Sequence, residues 1–382
     1  MKQHKILLLS VSAGAGHVRA SEALHACAQQ NFKNVETLHI DVMDYVSSTF
    51  RKLYVDSYLK LVQHFPAVWG AVYKATTKAS PEDLFQKVRR AAERLNTRAL
   101  TKAIENFKPD AIICTHFLPA ELLMHKINKG DFNIPVWVQI TDFDLHRMWV
   151  MPHMSGYFTA NEEVKFRLEH HNIPSNNIHV TGIPIMPAFT AAKTMDKAAA
   201  CKALGINMQH PVLMLMGGGA GMGKLDEVAA ELLQQDKNFQ LIVLAGRNKN
   251  TLEALQQLTT RYPGRLFPQG FTNNVEQLMI CADLVITKPG GLTTSECLAL
   301  GVPIIVHAPI PGQEEHNADY LLEQGAALKA IDAIGLAYRV RQLMMHPEQL
   351  AAMRVKAQAI GKPDAATHVL RIVETHCNAP VK

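Results

Sequence analysis

No stretch of this chain is apolar for the roughly 18–20 residues that a membrane-spanning helix needs; runs such as Ile6–Leu9 stop far short. Cysteine is scarce, six in 382 residues, with no C-x-x-C pair and no metal-ligand spacing. That excludes a zinc ribbon or a disulfide framework and reads as reduced thiols. A P-loop is missing too, because G-x-x-x-x-G-K needs Ser or Thr next and Leu225 follows Lys224. The dinucleotide fingerprint G-x-G-x-x-G fails at its third glycine, where Arg19 stands after Gly14 and Gly16. What remains is an ordinary globular composition, 48% hydrophobic and 19% charged, over a length that suits two domains. The opening MKQHKILLLSVSAGAG imitates a weak secretion signal, but its apolar core is short and an amphipathic helix pattern follows. A buried first strand is expected instead.

The formal net charge of +5 is unevenly placed. Residues 45–108 hold twelve Lys/Arg against five acids, so this window carries +7 and the rest of the chain about −2. Eight aromatics lie between Tyr45 and Phe85 in the same window. Cations with interleaved rings suit an anionic bilayer surface, where rings sit at headgroup level. A solvated helical face is the plain alternative, and no nucleic-acid signature is present.

Short β-branched runs alternate with helical patterns, which implies α/β architecture with parallel sheets covered on both faces. Strands are expected at Ile6–Ser10, Val35–Asp41, Ala111–Cys114, Val136–Ile140, Gly156–Thr159 and His179–Gly182. A second set is expected at Val212–Met216, Gln240–Ala245, Leu266–Gln269, Leu284–Thr287, Pro303–Val306 and Ala327–Lys329. The strand, glycine loop, helix pattern starts twice, at ILLLSVSAGAGH and at PVLMLMGGGAGMGK. Two Rossmann-like domains facing a central cleft follow, spanning 1–185 and 186–360. A last helix in 361–382 is expected to pack back toward the first domain, and a hinge falls at Gly182–Thr194. Ligands in such sheets sit at the carboxyl ends of the strands.

Gly217, Gly218 and Gly219 allow close backbone approach ahead of a helix N-terminus, as a phosphate site requires; a tight turn with positive φ is the alternative. Downstream, ITKPGGLTTSE runs from a strand through Gly290 and Gly291 into Thr293 and Glu296. A carboxylate at a strand's carboxyl end can accept two ribose hydroxyls. The same spacing also fits a capping box, with Thr293 as the cap and Glu296 three residues on. That alternative leaves the polar run Gln313-Glu314-Glu315-His316-Asn317 unexplained.

TKPGG, ALGVPII and PIPGQEEHNA resemble, over about forty residues, the donor signature of nucleotide-sugar transferases of the GT-B fold. ITDFDLHRMWV, TGIPI and the opening GAGH are similar to that family in the same order. The resemblance is to the processive diacylglycerol glucosyltransferases and monogalactosyldiacylglycerol synthases, relatives of the lipid II-forming N-acetylglucosaminyltransferase. It implies inverting transfer of a hexose from a UDP-sugar to 1,2-diacylglycerol, with glucose favoured over galactose. By that resemblance Glu296 would hold the ribose, while Gly290, Gly291, Leu292 and Thr293 would line the diphosphate. Gln313 and Glu314 would read sugar hydroxyls, supported by Asn317, and Phe271 would lie beside the uracil. Gly217, Gly218 and Gly219 would close on the donor phosphates.

Asp142 and Asp144 imitate a D-x-D metal motif, but GT-B transferases meet the leaving diphosphate with amides and helix dipoles. No metal and no cofactor is therefore expected beyond the donor substrate, with anionic lipid as an activator. Asp142 would orient His17; His146 and Trp149 would line the acceptor side with Gly14 and Gly16. His17 sits at a helix N-terminus, whose dipole disfavours the imidazolium and leaves a neutral ring able to take the acceptor's proton. A packing or capping histidine is the alternative. The expected setting is the cytoplasmic face of a membrane, held peripherally through residues 45–108. Competing readings are a nicotinamide dehydrogenase, another GT-B enzyme such as a UDP-GlcNAc transferase or 2-epimerase, and a non-catalytic UDP-sugar binder.

Overall fold

The computed structural model describes residues 3–46, 97–128, 132–217 and 224–379, with positions 51, 68, 70 and 130. They form two compact units. One comprises Met1–Pro187, Pro311–Gln313 and Asp364–Lys382; the other comprises Ala188–Ile310 and Glu314–Pro363.

The first unit is built on β1 (His4–Ser10), β2 (Val35–Asp41), β3 (Ala111–Cys114), β4 (Val136–Gln139), β5 (Gly156–Thr159) and β6 (Ile178–Val180). All are parallel, in the order β2-β1-β3-β4-β5-β6. Its described helices are α1 (Ala15–Asn31), α2 (Thr97–Phe107), α3 (Phe117–Asn128) and α4 (Glu162–His170). Ile6, Leu7, Leu8 and Leu9 are all fully buried, as a strand covered on both faces requires. Each such side chain contributes about 1.5–3 kcal/mol relative to exposure. Leu7 and Leu9 face a core completed by α2 and α3, through Leu100, Ile104, Leu118 and Leu123. Ile6 and Leu8 face the other way, into a cluster with Leu24 and Cys27 of α1. Trp137 and Phe158, stacked at 5.2 Å between centroids, extend this second face. Gly156 makes that possible, since a Cβ there would run into the Trp137 ring.

The second unit opens with α5 (Pro187–Ala192) and α6 (Lys197–Ala203), then β7 (Val212–Met216), α7 (Leu225–Gln235), β8 (Gln240–Gly246), α8 (Lys249–Leu258), β9 (Leu266–Gly270) and α9 (Val275–Cys281). It continues through β10 (Leu284–Thr287), α10 (Gly291–Ala299), β11 (Ile304–His307), α11 (Gln313–Glu323), β12 (Ala327–Ala330), α12 (Ala333–Met345) and α13 (Pro347–Ile360). The strands run parallel in the order β12-β11-β10-β7-β8-β9. The last helix, α14 (Ala365–Asn378), belongs to the first unit, where Ala366, Val369, Leu370 and Val373 join the cluster around Ile6 and Leu8.

Each strand order reverses once, between β1 and β3 in the first sheet and between β7 and β10 in the second. The crevice at such a reversal, outside the carboxyl ends, is where open α/β sheets bind ligands. Among the described residues no helix is long and apolar enough to cross a membrane.

Candidate active site

In the first unit the chain leaves β1 through Val11–Ala13 and turns into α1 at Gly14, whose φ of 100° only glycine adopts freely. His17 is thereby placed in the first turn of α1, directly at the β1/β3 reversal. Its Nδ1 lies 3.0 Å from the Thr115 carbonyl oxygen, just past β3, and 2.9 Å from Thr141 Oγ1, just past β4. Thr115 returns a bond from its own hydroxyl to the His17 carbonyl at 2.8 Å and lies 2.9 Å from Ser21 Oγ. Three neighbouring strand ends thus fix one imidazole.

A carbonyl oxygen only accepts, so the hydrogen of the neutral ring sits on Nδ1 and the lone pair on Nε2. Desolvation holds the His17 pKa down at about 4, against the raising effect of the Thr115 bond. Burial is the first cause of its neutrality. His116 packs edge-on at 4.6 Å between centroids and is also held well below the ordinary value, first by desolvation and then by His17. Its Nδ1 accepts from the Leu118 amide at 3.0 Å. Trp149, buried, stands 6.1 Å from His17 and 5.9 Å from Phe117 between centroids. The result is an aromatic wall around a buried, neutral imidazole.

Asp142 follows Thr141, is buried, and accepts at Oδ1 from Gln313 Nε2, while the Thr141 hydroxyl lies against the ring. Asp144 lies 3.5 Å from the Arg167 guanidinium. His146 is buried and its Nδ1 accepts from the Met148 amide at 3.2 Å, capping the short turn Arg147–Trp149. Gly16 lies in the first turn of α1 between Gly14 and His17. Thr115, His116, Phe117 and Thr141 were not singled out in the sequence. Their signal was positional, polar or aromatic residues directly after a buried strand.

In the second unit Gly217 is buried at the end of β7, at the β7/β10 reversal. Gly218 and Gly219 lie outside the described residues. Past β10, Gly290 is the residue that caps α10, and no side chain caps it. Thr293 therefore stands inside the helix, and the capping-box alternative fails. Its hydroxyl and the half-buried Glu296 stand in the opening turns of a helix with free amides.

Asn317 is fully buried and donates from Nδ2 to the Pro289 carbonyl at 3.1 Å, tying α11 to the loop before α10. Glu314 Oε2 accepts from the Ile310 amide at 2.7 Å, and its other oxygen lies 4.0 Å from where a Cβ on Gly290 would stand. Leu292 is buried, and Gln313, which groups with the first unit, opens α11. Phe271, after β9, is 56% exposed, with the Arg247 guanidinium 4.4 Å from its ring centroid. That cation, at the end of β8, was also not singled out. Gly217, Phe271, the 290–296 turn and the start of α11 follow the carboxyl ends of β7, β9, β10 and β11, along one edge of the sheet.

Residues 17–185 match the family described as monogalactosyldiacylglycerol (MGDG) synthase, and residues 212–369 match the glycosyltransferase family 28 C-terminal domain. A processive diacylglycerol beta-glucosyltransferase from Bacillus pumilus is 30% identical over 374 residues, covering 97% of this chain and 94% of that one. The enzyme of the same name from Bacillus subtilis is 29% identical, covering 85% and 82%. Among solved structures, MurG of Acinetobacter baumannii superposes with a TM-score of 0.62 at 18% identity, covering 98% of this chain and 99% of that one. At that identity the likeness speaks for the GT-B fold alone. With the relatives matched nearly end to end, the chain belongs to the family of the processive diacylglycerol glucosyltransferases and monogalactosyldiacylglycerol synthases, GT-B glycosyltransferases related to the lipid II-forming N-acetylglucosaminyltransferase.

Proposed function

We propose that this protein transfers glucose from UDP-glucose to the free hydroxyl of 1,2-diacylglycerol, with inversion at the anomeric carbon. The observation that carries the reading is the bond from His17 Nδ1 to the Thr115 carbonyl, which leaves Nε2 as a neutral acceptor. As the diacylglycerol oxygen attacks the anomeric carbon, its proton passes to Nε2. The bond from that carbon to the diphosphate breaks on the opposite face, and UDP leaves with the electron pair. The amides opening α10 suit the charge gathering on the diphosphate. Glu296 suits the ribose hydroxyls, while Glu314 and Gln313 suit the sugar hydroxyls, with Asn317 bracing the loop between. Trp149, Phe117 and His116 supply an apolar wall for a glyceride acceptor. No metal enters this scheme; Asp142 is assigned to the acceptor side. The names of the relatives support both the acceptor and the choice of glucose.

The test incubates the protein with labelled UDP-glucose or UDP-galactose and diacylglycerol vesicles containing anionic lipid. Label in a chloroform-soluble product, greater from UDP-glucose and carrying a β linkage, is the expected result. UDP release without lipid label defeats the acceptor assignment. Label from UDP-galactose alone defeats the choice of sugar.

A further inference from the structure

An open groove of about 470 Å³ lies in the first unit at the far edge of its sheet, away from the β1/β3 reversal. Its floor is the edge strand β6, with Ile178 and His179, and its sides are α4 and α14. Lys165 comes from α4, while His368 and Arg371 come from one face of α14, three residues apart. Against these four nitrogen-bearing side chains stands a single carboxylate, the exposed Glu162. Among the described residues no ion pair joins any of the four to a carboxylate.

Cations are normally dispersed or paired, because like charges in one concavity repel and a concave wall focuses their field. Here the repulsion is visible in His179, whose basicity is lowered by burial and then by the charge of Lys165. The ring is held in place, 5.8 Å from both Trp137 and Phe158 between centroids. As an edge strand, β6 also turns one side of its backbone groups away from any ladder partner, toward the cavity it floors.

We propose that this groove binds a phosphomonoester or phosphate anion, held by Lys165 and Arg371 with His179 and His368 as further donors. The site is separate from the proposed transfer chemistry and stands whether or not that reading does. A dianion supplies the charge the groove lacks and accepts from donors on three sides, and charge-assisted bonds of this kind are the strong ones. The anion comes either from solution or from a lipid headgroup, and exposed Phe166 on α4, beside Lys165, gives the second source an apolar neighbour.

The test uses the full-length chain with histidine-selective NMR. Inorganic phosphate is titrated against chloride at matched ionic strength. The expected result is a saturable shift of His179 and His368 with phosphate alone, with the His179 ring protonating at higher pH than before. In the double variant Lys165→Glu, Arg371→Glu the affinity falls at least about tenfold, while thermal melting stays unchanged. A parallel arm titrates phosphatidylcholine vesicles with and without a phosphomonoester lipid against native and double-variant protein. It counts as binding at the groove only what shifts His179 and is lost in the variant, so that any contact made by residues 45–108 drops out. Phosphate binding that free phosphate and doped vesicles compete for assigns the shared chemistry to both sources; binding of one probe alone assigns it to that source. Equal shifts in chloride, or binding retained by a folded double variant, overturn the proposal, as does the absence of saturable binding to both probes.

Discussion

The proton-accepting nitrogen of His17 is set by which atom faces Thr115, and its working range by how little water reaches the ring. Held at about 4, the ring is neutral across the physiological range and gains its proton only in acid. The pH profile of kcat/KM is therefore expected to stay level from alkaline pH down to about 5 and to fall as pH approaches 4, since this parameter reports the free protein. A limb centred on the ordinary histidine value of about 6.5 would remove His17 from the base role. His17→Ala is expected to fold, to keep UDP binding measured by calorimetry, and to lose about 10²–10⁴-fold in transfer. Linkage runs the same way. The unfolded ring binds its proton first, so the stability this residue contributes is present above about 6.5 and is lost as pH falls toward the folded value. His17 stood out as a candidate from its strand, loop and helix context. Its partners were not, because Thr115 and Thr141 lie 98 and 124 residues away and meet it only once β1, β3 and β4 are neighbours.

Elements were more legible than partners. All twelve expected strands are present, and the ends differ by a residue or two, as at Ile178–Val180 against the expected His179–Gly182. Continuous apolar runs in a parallel sheet have no exposed face to blur them. Helix starts were harder. At α10 the T-x-x-E spacing pointed to Thr293, whereas the backbone enters the helix three residues earlier at Gly290, where no side chain marks the cap. That earlier start puts Thr293 and Glu296 inside the helix and Asn317 behind the Pro289 carbonyl. Asn317→Leu leaves that carbonyl unpaired and is expected to cost about 1–3 kcal/mol. Within the proposed chemistry KM for the UDP-sugar rises more than kcat falls, because the loop is loosened while the base is intact. Melting and steady-state kinetics check both parts, and an unchanged KM would detach Asn317 from donor binding.

At the scale of the whole chain, the excess positive charge is confined to residues 45–108. Of this window the structure describes positions 45, 46, 51, 68 and 70 and then Thr97 onward, including α2. We assign the window to an anionic bilayer surface on composition. Vesicle binding should then weaken between low and high salt, where the Debye length shrinks from about 30 Å at 0.01 M to 3 Å at 1 M. Cosedimentation with anionic and neutral vesicles measures this, and salt-insensitive binding would take that role away.

The return of α14 to the first unit has a consequence for biosynthesis. Residues 366–373 close a core whose other side is made by residues within 6–35, 111–113, 137 and 158, so the ribosome delivers this strand layer about two hundred residues before its cover. Everything the second unit needs has been translated by Pro363. Until α14 is made, the face of the first sheet around Ile6, Leu8 and Phe158 has α1 but not this second cover, and apolar surface left open in that way is what makes a nascent chain prone to association.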